Sequence, residues 1–387
     1  MPLTILVLDA AQRSALAVTR SLGRLTDVIV VTAERSGYSL ADASRFSAEH
    51  LVYPCPEATP QAFIAWMAET LRLRHFAWVF PTTEVTSQLL LMAQDQIPGL
   101  NLPFAPLVKV MALADKGSLT KRAKALGVPV PGFTYYPNLQ ALPTEGLTFP
   151  LVIKPCLSKI FMQSHWLATS VFVAQNHDEL AQGLAGRAYL AEQPFMVQEF
   201  IPGQGAGVFA LYNQGQAVAF FAHQRLREKP PEGGISVLSQ SMAVTPELER
   251  LARSLLDDVG WHGVAMVEFR QTPTGEYYLM EVNTRFWGSL QLAIDAGVDF
   301  PKLLLDACEG RPLPAQVPYK LGQRLRWLLG DLDSLYIYLK GNYSFTAKLR
   351  RVLAFLMPRF SGQRYEVNRW GDLGPAWREL KNYFRQL

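Results

Sequence analysis

Cysteine is scarce in this sequence, and its scarcity excludes two common stabilising devices. The 387 residues include three cysteines, far apart and outside any CxxC pair, at Cys55, Cys156 and Cys308. An odd and scattered set favours neither a disulfide framework nor a zinc site. Free thiols fit a reducing compartment, so we expect a cytoplasmic protein.

Long hydrophobic runs are also lacking. A transmembrane helix needs roughly 18 consecutive apolar residues, and even the apolar run at residues 352–357 is soon broken by Pro358 and Arg359. The N-terminus has no basic leader and no small-residue cleavage site, so residues 3–8 predict a β-strand rather than a signal peptide. We therefore expect no transmembrane segment.

Charge of either sign is limited. Charged residues make up 18% of the chain, and the formal net charge is +4. The excess of basic residues lies near the C-terminus, at Lys348, Arg350, Arg351, Arg359, Arg364 and Arg369. This is too little to indicate a nucleic-acid-binding protein. We expect small-molecule substrates instead, and the oligomeric state, a homodimer included, is left open.

What the sequence does contain is enough apolar material for several lobes. Of its 387 residues 49% are apolar, which predicts two or three lobes with their own cores. Strand patterns at residues 3–8, 28–32, 51–53 and 78–80 alternate with helical patterns, which predicts a parallel α/β sheet covered on both faces. The turn at residues 9–13 lacks the glycines of a dinucleotide site, so Asp9 either contacts a substrate or merely precedes a helix.

A hinge follows a helix predicted at residues 116–126. The segment GVPVPG at 127–132 cannot continue a helix, because Pro129 and Pro131 lack an amide hydrogen and fix φ. Residues 149–221 alternate short strands with one helix near 179–190, which predicts a small antiparallel lobe. Beyond a helix at 246–259, two strands at 263–270 and 277–282 flank a Pro-Thr-Gly turn.

Two carboxylates on that last hairpin indicate a metal and phosphate site. In an extended strand Glu281, Asn283 and Arg285 project from one face, and Glu268 lies on the neighbouring strand. Two close carboxylates between apolar strands repel each other unless a cation compensates them, and Mg²⁺ favours such oxygen ligands. Arg285 would neutralise charge on a transferred phosphoryl group. The alternative is an exposed hairpin in which the acids pair with Arg270 and Arg285.

Residues 279–285 (LMEVNTR), preceded by VEF at 267–269, resemble the metal-binding hairpin of the ATP-grasp superfamily, which includes biotin carboxylase and the large subunit of carbamoyl phosphate synthetase. The resemblance implies that Glu268, Glu281 and Asn283 hold Mg²⁺ or Mn²⁺. It also implies that Arg285 contacts an acyl phosphate as a catalytic residue.

Two further segments are similar to the nucleotide-binding elements of this superfamily. FPLVIKP at 149–155 resembles its strand-ending lysine, which implies that Lys154 is catalytic and reaches the α and β phosphates, and Lys116 matches a basic residue just before the nucleotide lobe. VQEFIPG at 197–203 resembles the adenine hinge, formed here by Gln198, Glu199, Phe200 and Ile201. The Glu199 side chain and the Ile201 backbone would bind the adenine edge.

Two departures from the pattern of the superfamily concern the ribose and the lid. Ala206 stands where an acid usually binds the ribose hydroxyls, so the resemblance supplies no residue for the ribose contacts. The loop after Lys154 reads PCLSKIF at 155–161 rather than glycine-rich, and Lys159 there could supply a phosphate contact.

The acceptor side is marked by basic residues and glycines. In extended form His223, Arg225 and Arg227 share one face, and Arg225 or Arg227 would hold a substrate carboxylate or the γ phosphate. Gly233 and Gly234 would allow close approach of the ligand. A charged strand edge that prevents aggregation is the alternative. After the hairpin, FWGS at 286–289 begins a predicted helix whose amides and Ser289 could cap a second anion.

The order of these motifs is similar to that of uncharacterised ATP-dependent carboligases of the superfamily over residues 1–310. The resemblance implies a Rossmann-like domain at 1–115 and an ATP-grasp domain at 116–310, with a nucleotide lobe at about 133–205 and a metal-binding lobe at about 206–310. The combined fold class is α/β and α+β. Residues 311–387 form a basic, helical C-terminal extension to which the sequence assigns no role.

The implied activity is that of a carboxylate-amine ligase. ATP would phosphorylate a carboxylate to an acyl phosphate, an amine would displace the phosphate, and ADP and phosphate would leave. One alternative is a carboxylase that uses bicarbonate, although no biotinyl acceptor motif is present. Another is a non-catalytic nucleotide-binding module, against which the intact Glu268, Glu281, Asn283 and Arg285 argue.

Overall fold

The N-terminal lobe is built on a parallel sheet. The computed structural model describes every residue except Met1, Thr144, Glu232, Pro358, Phe360 and Leu387. The lobe contains β1 (Leu3–Val7), α1 (Arg13–Leu22), β2 (Val28–Glu34), β3 (Glu49–Val52), α2 (Pro60–Leu73), β4 (Trp78–Phe80) and α3 (Glu84–Met92). The strands are parallel in the order β3-β2-β1-β4. Their carboxyl ends therefore meet at one edge, where Asp9, Glu34 and Thr82 lie.

A small antiparallel lobe follows two connecting helices, α4 (Leu107–Ala114) and α5 (Lys116–Ala125). Its elements are β5 (Phe133–Tyr136), β6 (Leu151–Pro155), β7 (Lys159–Phe161), β8 (Trp166–Ala168), β9 (Phe172–Ala174), α6 (His177–Ala185) and β10 (Phe195–Glu199). Four of these strands form a sheet in the order β5-β10-β6-β9, while β7 and β8 form a separate two-stranded sheet. This lobe has its own apolar core around Ile153, Leu190 and Phe195.

A larger antiparallel sheet carries the acidic hairpin. It contains β11 (Gln204–Asn213), β12 (Gln216–Lys229), β13 (Ile235–Met242), β14 (Gly263–Gln271) and β15 (Tyr277–Asn283), with α7 (Pro246–Asp258), α8 (Leu290–Ala296) and α9 (Phe300–Cys308) as its helices. Gly215 takes a φ of +85° in the β11–β12 turn, a conformation that favours glycine. The core of this sheet is continuous with that of the N-terminal lobe, which fixes the two lobes against each other.

The C-terminal segment both adds helices and extends the large sheet. Its elements are β16 (Arg324–Arg326), α10 (Leu328–Lys340), α11 (Phe345–Leu356), β17 (Gln363–Tyr365) and α12 (Gly374–Gln386). β16 pairs antiparallel with β13, and β17 pairs parallel with β16, so the sheet order is β15-β14-β11-β12-β13-β16-β17. The expected helical extension thus also supplies the last two strands of the sheet.

A buried arginine of the N-terminal lobe, Arg20, binds the C-terminal segment. Arg20 on α1 is 1% exposed. Its Nε donates to Asp372 Oδ2 at 2.7 Å, and its Nη1 donates to the carbonyl of Glu366 at 2.8 Å. A buried guanidinium needs such complete pairing to offset its desolvation. The N-terminal lobe is therefore braced by residues that lie far from it in the sequence.

The predicted fold class, with its parallel sheet, antiparallel sheets and helical C-terminus, is confirmed. Two helix boundaries are wrong. The helix expected at 179–190 is α6, which ends at Ala185 before a 3₁₀ turn. The helix after the hairpin begins at Leu290, beyond Ser289. In the described part of the chain, every helix is too short or too polar to cross a lipid bilayer.

Candidate active site

The two acids of the hairpin face each other directly. β14 and β15 pair antiparallel, and Glu268 is the register partner of Glu281. A register shift follows Glu268, which bends the strand locally at this position. Asn283 lies on the same face and donates from Nδ2 to Glu281 Oε1 at 3.1 Å. The hairpin thus presents two carboxylates and an amide oxygen side by side.

Three cations from different elements compensate these acids. Lys116 Nζ at the start of α5 lies 3.6 Å from Glu281 Oε2. Lys154, at the end of β6, is 6% exposed and donates from Nζ to the carbonyl of Met280 at 2.5 Å. Arg225 on β12 forms an ion pair with Glu268. The acids therefore do not pair with Arg270 and Arg285, as the alternative interpretation of the hairpin required.

Burial and these charges shift the pKa values of the site. Burial lowers the pKa of Lys154 to about 8, although Glu281 acts to raise it. Burial raises the pKa of Glu268 against the effect of Arg225. Burial would also raise the pKa of Glu281, but Lys116 and Lys154 outweigh it and hold that pKa below its ordinary value. Opposed shifts in two adjacent acids are typical of functional sites.

The donor set suits a hard divalent cation. Carboxylate and amide oxygens are the ligands that Mg²⁺ prefers, with water and phosphate oxygens completing the octahedron. Glu268 and Glu281 repel each other, so a cation between them would relieve that repulsion. Among the described residues, no group of three or more His, Cys, Asp or Glu side chains is arranged to hold a metal. Metal binding by Glu268, Glu281 and Asn283 stays a prediction.

Arg285 lies at the junction of two cavities. Its Nη1 donates to the carbonyl of Phe286 at 2.8 Å, and its Nη2 lies 3.5 Å from Asn283 Oδ1. Together with Glu281 and Asn283 it lines both a cavity of about 630 Å³ and a neighbouring one of about 320 Å³. A guanidinium at this junction can contact an anion in either cavity.

The larger cavity lies between the N-terminal sheet and the acidic hairpin. Its walls carry basic and acidic side chains from the N-terminal lobe, the small antiparallel lobe and the region of the acidic hairpin, namely Arg13, Arg35, Lys159, Arg285, Glu34, Glu57, Glu84 and Glu281. Asp9 also lines it, but both of its oxygens are engaged, since Oδ2 accepts from the amides of Thr82 and Thr83 at 2.8 Å each and Oδ1 from the Tyr53 hydroxyl at 3.2 Å. Asp9 therefore braces the strand ends.

The smaller cavity collects most of the residues predicted for the acceptor side. His223, Arg225, Gly234 and Ser289 all line it. His223 is buried, and burial lowers its pKa to about 3, so the imidazole is neutral at physiological pH. Its Nε2 lies 3.0 Å from Ser289 Oγ. Ser289 therefore bonds His223, and its side chain does not cap α8.

Arg227 departs from the expected basic row. The register of β12 against β13 shifts on both sides of Arg227, so its side chain leaves the face shared by His223 and Arg225. Arg227 Nη2 instead lies 2.7 Å from the buried Asp331 Oδ2. Arg227 lines neither of the two cavities, and substrate binding by Arg227 stays a prediction. Gly233 has a φ of +144° and is absent from the walls of both cavities.

The expected adenine hinge, residues 198–201, lies at the C-terminal end of β10. Gln198 and Ile201 are buried, Phe200 is partly buried, and Glu199 is exposed. The Glu199 amide donates to the carbonyl of Gly132 at 2.8 Å, which ties the hinge to the segment before β5. These residues line neither of the two cavities. Adenine binding at the hinge stays a prediction.

The segment after Lys154 forms the β7–β8 hairpin and leans on the N-terminal lobe. Lys159 Nζ donates to Glu57 Oε1 at 2.8 Å, and the Trp166 amide donates to the carbonyl of Glu57 at 3.1 Å. Lys116 Nζ donates to Ser158 Oγ at 2.7 Å, next to this hairpin. In the ATP-grasp superfamily the segment at this position covers the phosphates. In this structure it forms a wall of the larger cavity.

Arg13 is the main residue of the site that the sequence did not reveal. It begins α1, lines both cavities and forms an ion pair with the buried Glu366. Its guanidinium also lies 3.9 Å from the ring centroid of Trp327. Glu366 and Trp327 belong to the C-terminal segment, and no local pattern connects them to Arg13.

Comparisons with known proteins agree with this architecture. Residues 191–330 match a family described as ATP-grasp in the biosynthetic pathway with Ter operon. No curated protein sequence matches the chain. The structure is similar to that of an L-amino acid ligase from Bacillus licheniformis, with a TM-score of 0.61, 19% identity and coverage of 79% of this chain and 74% of that one.

Two other solved structures show the same likeness. An N5-carboxyaminoimidazole synthetase from Staphylococcus aureus gives a TM-score of 0.64 at 14% identity, with coverage of 88% of this chain and 87% of that one. A biotin carboxylase from Campylobacter jejuni gives 0.64 at 16% identity, with coverage of 83% and 74%. At such identities the likeness shows a common fold. The chain has the ATP-grasp fold, and its residues 191–330 match an ATP-grasp family.

Proposed function

We propose that this protein is an ATP-dependent carboxylate-amine ligase. ATP phosphorylates a substrate carboxylate to an acyl phosphate, an amine displaces the phosphate to form a carbon-nitrogen bond, and ADP and phosphate are released. The observation that carries the proposal is the facing pair Glu268 and Glu281, set among Lys116, Lys154 and Arg225 where two cavities adjoin.

Binding of the nucleotide is assigned to the smaller lobe and the hairpin. Glu268, Glu281 and Asn283 would hold Mg²⁺ or Mn²⁺, which supplies charge neutralisation at the phosphate oxygens when bound. Lys154 places a buried ammonium group beside the acids, where phosphate would become its counter-charge. Gln198, Glu199, Phe200 and Ile201 would hold the adenine ring.

The acceptor is assigned to the larger cavity. Its volume of about 630 Å³ accommodates a carboxylate substrate together with an amine. Arg13 and Arg285 are suited to hold the carboxylate with bidentate hydrogen bonds, and Arg285 would neutralise charge on the transferred phosphoryl group. Glu34 and Glu84 on the same wall offer acceptors for an amine. Positioning and charge neutralisation account for most of the rate enhancement in such a reaction.

The smaller cavity would shelter the reacting groups from water. The neutral His223 is held by Ser289, and Arg225 is held by Glu268, so both side chains are oriented in advance. Exclusion of water matters because an acyl phosphate hydrolyses readily. We propose that the reaction takes place in the cytoplasm, where the free thiols of Cys55, Cys156 and Cys308 stay reduced.

The decisive experiment measures ADP release from ATP and Mg²⁺ in the presence of pooled amino acids, other carboxylates and amines. The ligase predicts release that requires a carboxylate, and hydroxylamine in place of the amine should yield a hydroxamate from the trapped acyl phosphate. Release that requires bicarbonate and fixes labelled carbon would replace the proposal with a carboxylase. Nucleotide binding without turnover in any pool would leave a binding module.

The acceptor assignment has its own test. Arg13→Met should raise KM for the carboxylate by about tenfold to a hundredfold through loss of a charged hydrogen-bond donor, with KM for ATP little changed. Arg250→Met is the matched control, because Arg250 is exposed and pairs within its own helix. An unchanged KM for the carboxylate in Arg13→Met would remove Arg13 from the acceptor site.

A further inference from the structure

Helix α11 exposes an apolar stripe to solvent. Phe345, Leu349, Leu353 and Leu356 are 79%, 48%, 52% and 66% exposed. At about 100° per residue these four positions fall within an arc of about 80° along one side of the helix. Met357, which follows the helix, is 68% exposed. Exposed apolar patches of this kind mark interaction surfaces.

The opposite side of α11 is fastened to the protein. Arg351 Nη2 donates to the buried Asp331 Oδ1 at 2.8 Å. The guanidinium of Arg326 lies 4.3 Å from the ring centroid of Phe355. Arg227, whose side chain leaves the face of β12 shared by His223 and Arg225, donates to the carbonyl of Ala354 at 3.3 Å. These contacts hold the helix in one rotational setting, with its apolar stripe outward.

Basic residues flank the stripe. Lys348 and Arg350 lie on either side of it on the helical wheel, and Arg350 is exposed. From residue 334 to residue 365 the sequence contains no Asp or Glu and has six basic residues, at Lys340, Lys348, Arg350, Arg351, Arg359 and Arg364. Apolar side chains bordered by basic ones are typical of helices that lie in the plane of a membrane interface.

We propose that α11 docks this protein on the surface of an anionic lipid bilayer. The apolar stripe enters the boundary between head groups and acyl chains, while Lys348 and Arg350 contact lipid phosphates and carboxylates. The charge of the segment favours an anionic surface as its partner. Because residues 334–365 carry basic residues and no acidic ones, a second copy of the same helix would bring like charges together. The residues of the proposed ligase site lie on other elements.

The test is flotation of the full-length protein with vesicles. Phosphatidylcholine vesicles are compared with vesicles of phosphatidylcholine and phosphatidylserine. The wild-type protein should float only with the anionic vesicles, and its binding should weaken between about 0.1 M and about 0.5 M salt. Two double variants separate the contributions: Leu349→Asn with Leu353→Asn removes apolar contact, and Lys348→Gln with Arg350→Gln removes charge.

The expected effects follow from the two contributions. Each basic residue near an anionic surface strengthens binding about fivefold, so the charge variant should bind about 25-fold more weakly. The apolar variant should lose at least about tenfold. Val108→Asn is the control, because Val108 is 75% exposed on α4 and should not affect flotation.

Two results would overturn the proposal. One is failure of the wild-type protein to float with anionic vesicles at low salt, which would leave a protein partner as the occupant. The other is a wild-type dimer in sedimentation that becomes monomeric in the Leu349→Asn, Leu353→Asn variant, because a second copy would then cover the stripe. Leu349, Arg350 and Leu353 are exposed and Lys348 is partly exposed, so both variants should fold, which their thermal unfolding checks.

Discussion

Replacement of Glu281 by glutamine tests the predicted metal and phosphate site. Glu281→Gln keeps the size of the side chain and a carbonyl acceptor for Asn283, but removes one negative charge. That charge lies opposite Glu268 in register and 3.6 Å from Lys116 Nζ, and it helps to keep Lys154 protonated. The substitution should therefore weaken the predicted metal site and also alter the titration of Lys154.

Two effects determine how much activity Glu281→Gln should lose and how its pH profile should change. Loss of one preorganised electrostatic contributor costs about two to three orders of magnitude in kcat. In addition, the pKa of Lys154 is about 8 with Glu281 present. Because Glu281 raises that pKa, its neutralisation lowers it further. If Lys154 binds phosphate in its protonated form, as proposed, kcat/KM for ATP should fall as pH rises through its pKa, and this fall should begin at lower pH in the variant.

The assay is initial-rate ADP release from about pH 6 to about pH 10, repeated over a range of Mg²⁺ concentrations. Glu276→Gln is the matched control, since Glu276 is exposed in the turn of the same hairpin, and its rate should stay within about twofold of wild type. Turnover of Glu281→Gln within about threefold of wild type, with an unchanged Mg²⁺ requirement, would refute the assignment of the site.

Two further predictions concern the C-terminal segment. Asp372→Ala should lower the free energy of unfolding by about 3–5 kcal/mol in urea titrations, because it leaves Arg20 buried without its carboxylate. Arg72→Ala is the control and should change it by less than about 1 kcal/mol, because Arg72 belongs to an exposed ion pair. Equal effects of the two substitutions would contradict the role of Arg20 and Asp372 as a brace. Burial raises the pKa of Glu379 from 4.5 to about 7, against the hydrogen bond from Trp327. The folded state therefore keeps this proton up to a higher pH than the unfolded state, and the free energy of unfolding falls as pH rises between these two values. Glu379→Gln should abolish that fall and be the more stable protein above about pH 7, by about 1–2 kcal/mol, since partial exposure reduces the cost; parallel pH profiles for the two proteins would count against it.

The acidic hairpin could be anticipated because its signals are local. Alternation along an extended strand places Glu281 and Asn283 on one face, and a short turn with Gly275 at a φ of +95° fixes the register that brings Glu268 opposite. Burial of Lys154 also follows from its place at the end of an apolar strand. Each of these inferences needs only neighbouring residues and strand periodicity.

What could not be anticipated depends on distant contacts or on irregular backbone. Arg13 is held by Glu366, 353 residues further along the chain. The irregular register of β12 turns Arg227 away from Arg225, and two-residue alternation cannot foresee such a shift. β16 and β17 are three residues each, too short to carry a strand pattern, and their pairing with the large sheet decides their structure.

The brace between the two ends of the chain sets an order of events during synthesis. The N-terminal lobe emerges first, but Arg20 and Arg13 gain their carboxylates only after Asp372 and Glu366 have been made. At about 5–20 residues per second, tens of seconds separate the first lobe from its completion. A nascent chain therefore lacks the carboxylate partners of Arg13 and Arg20 until residues 366–372 have been made.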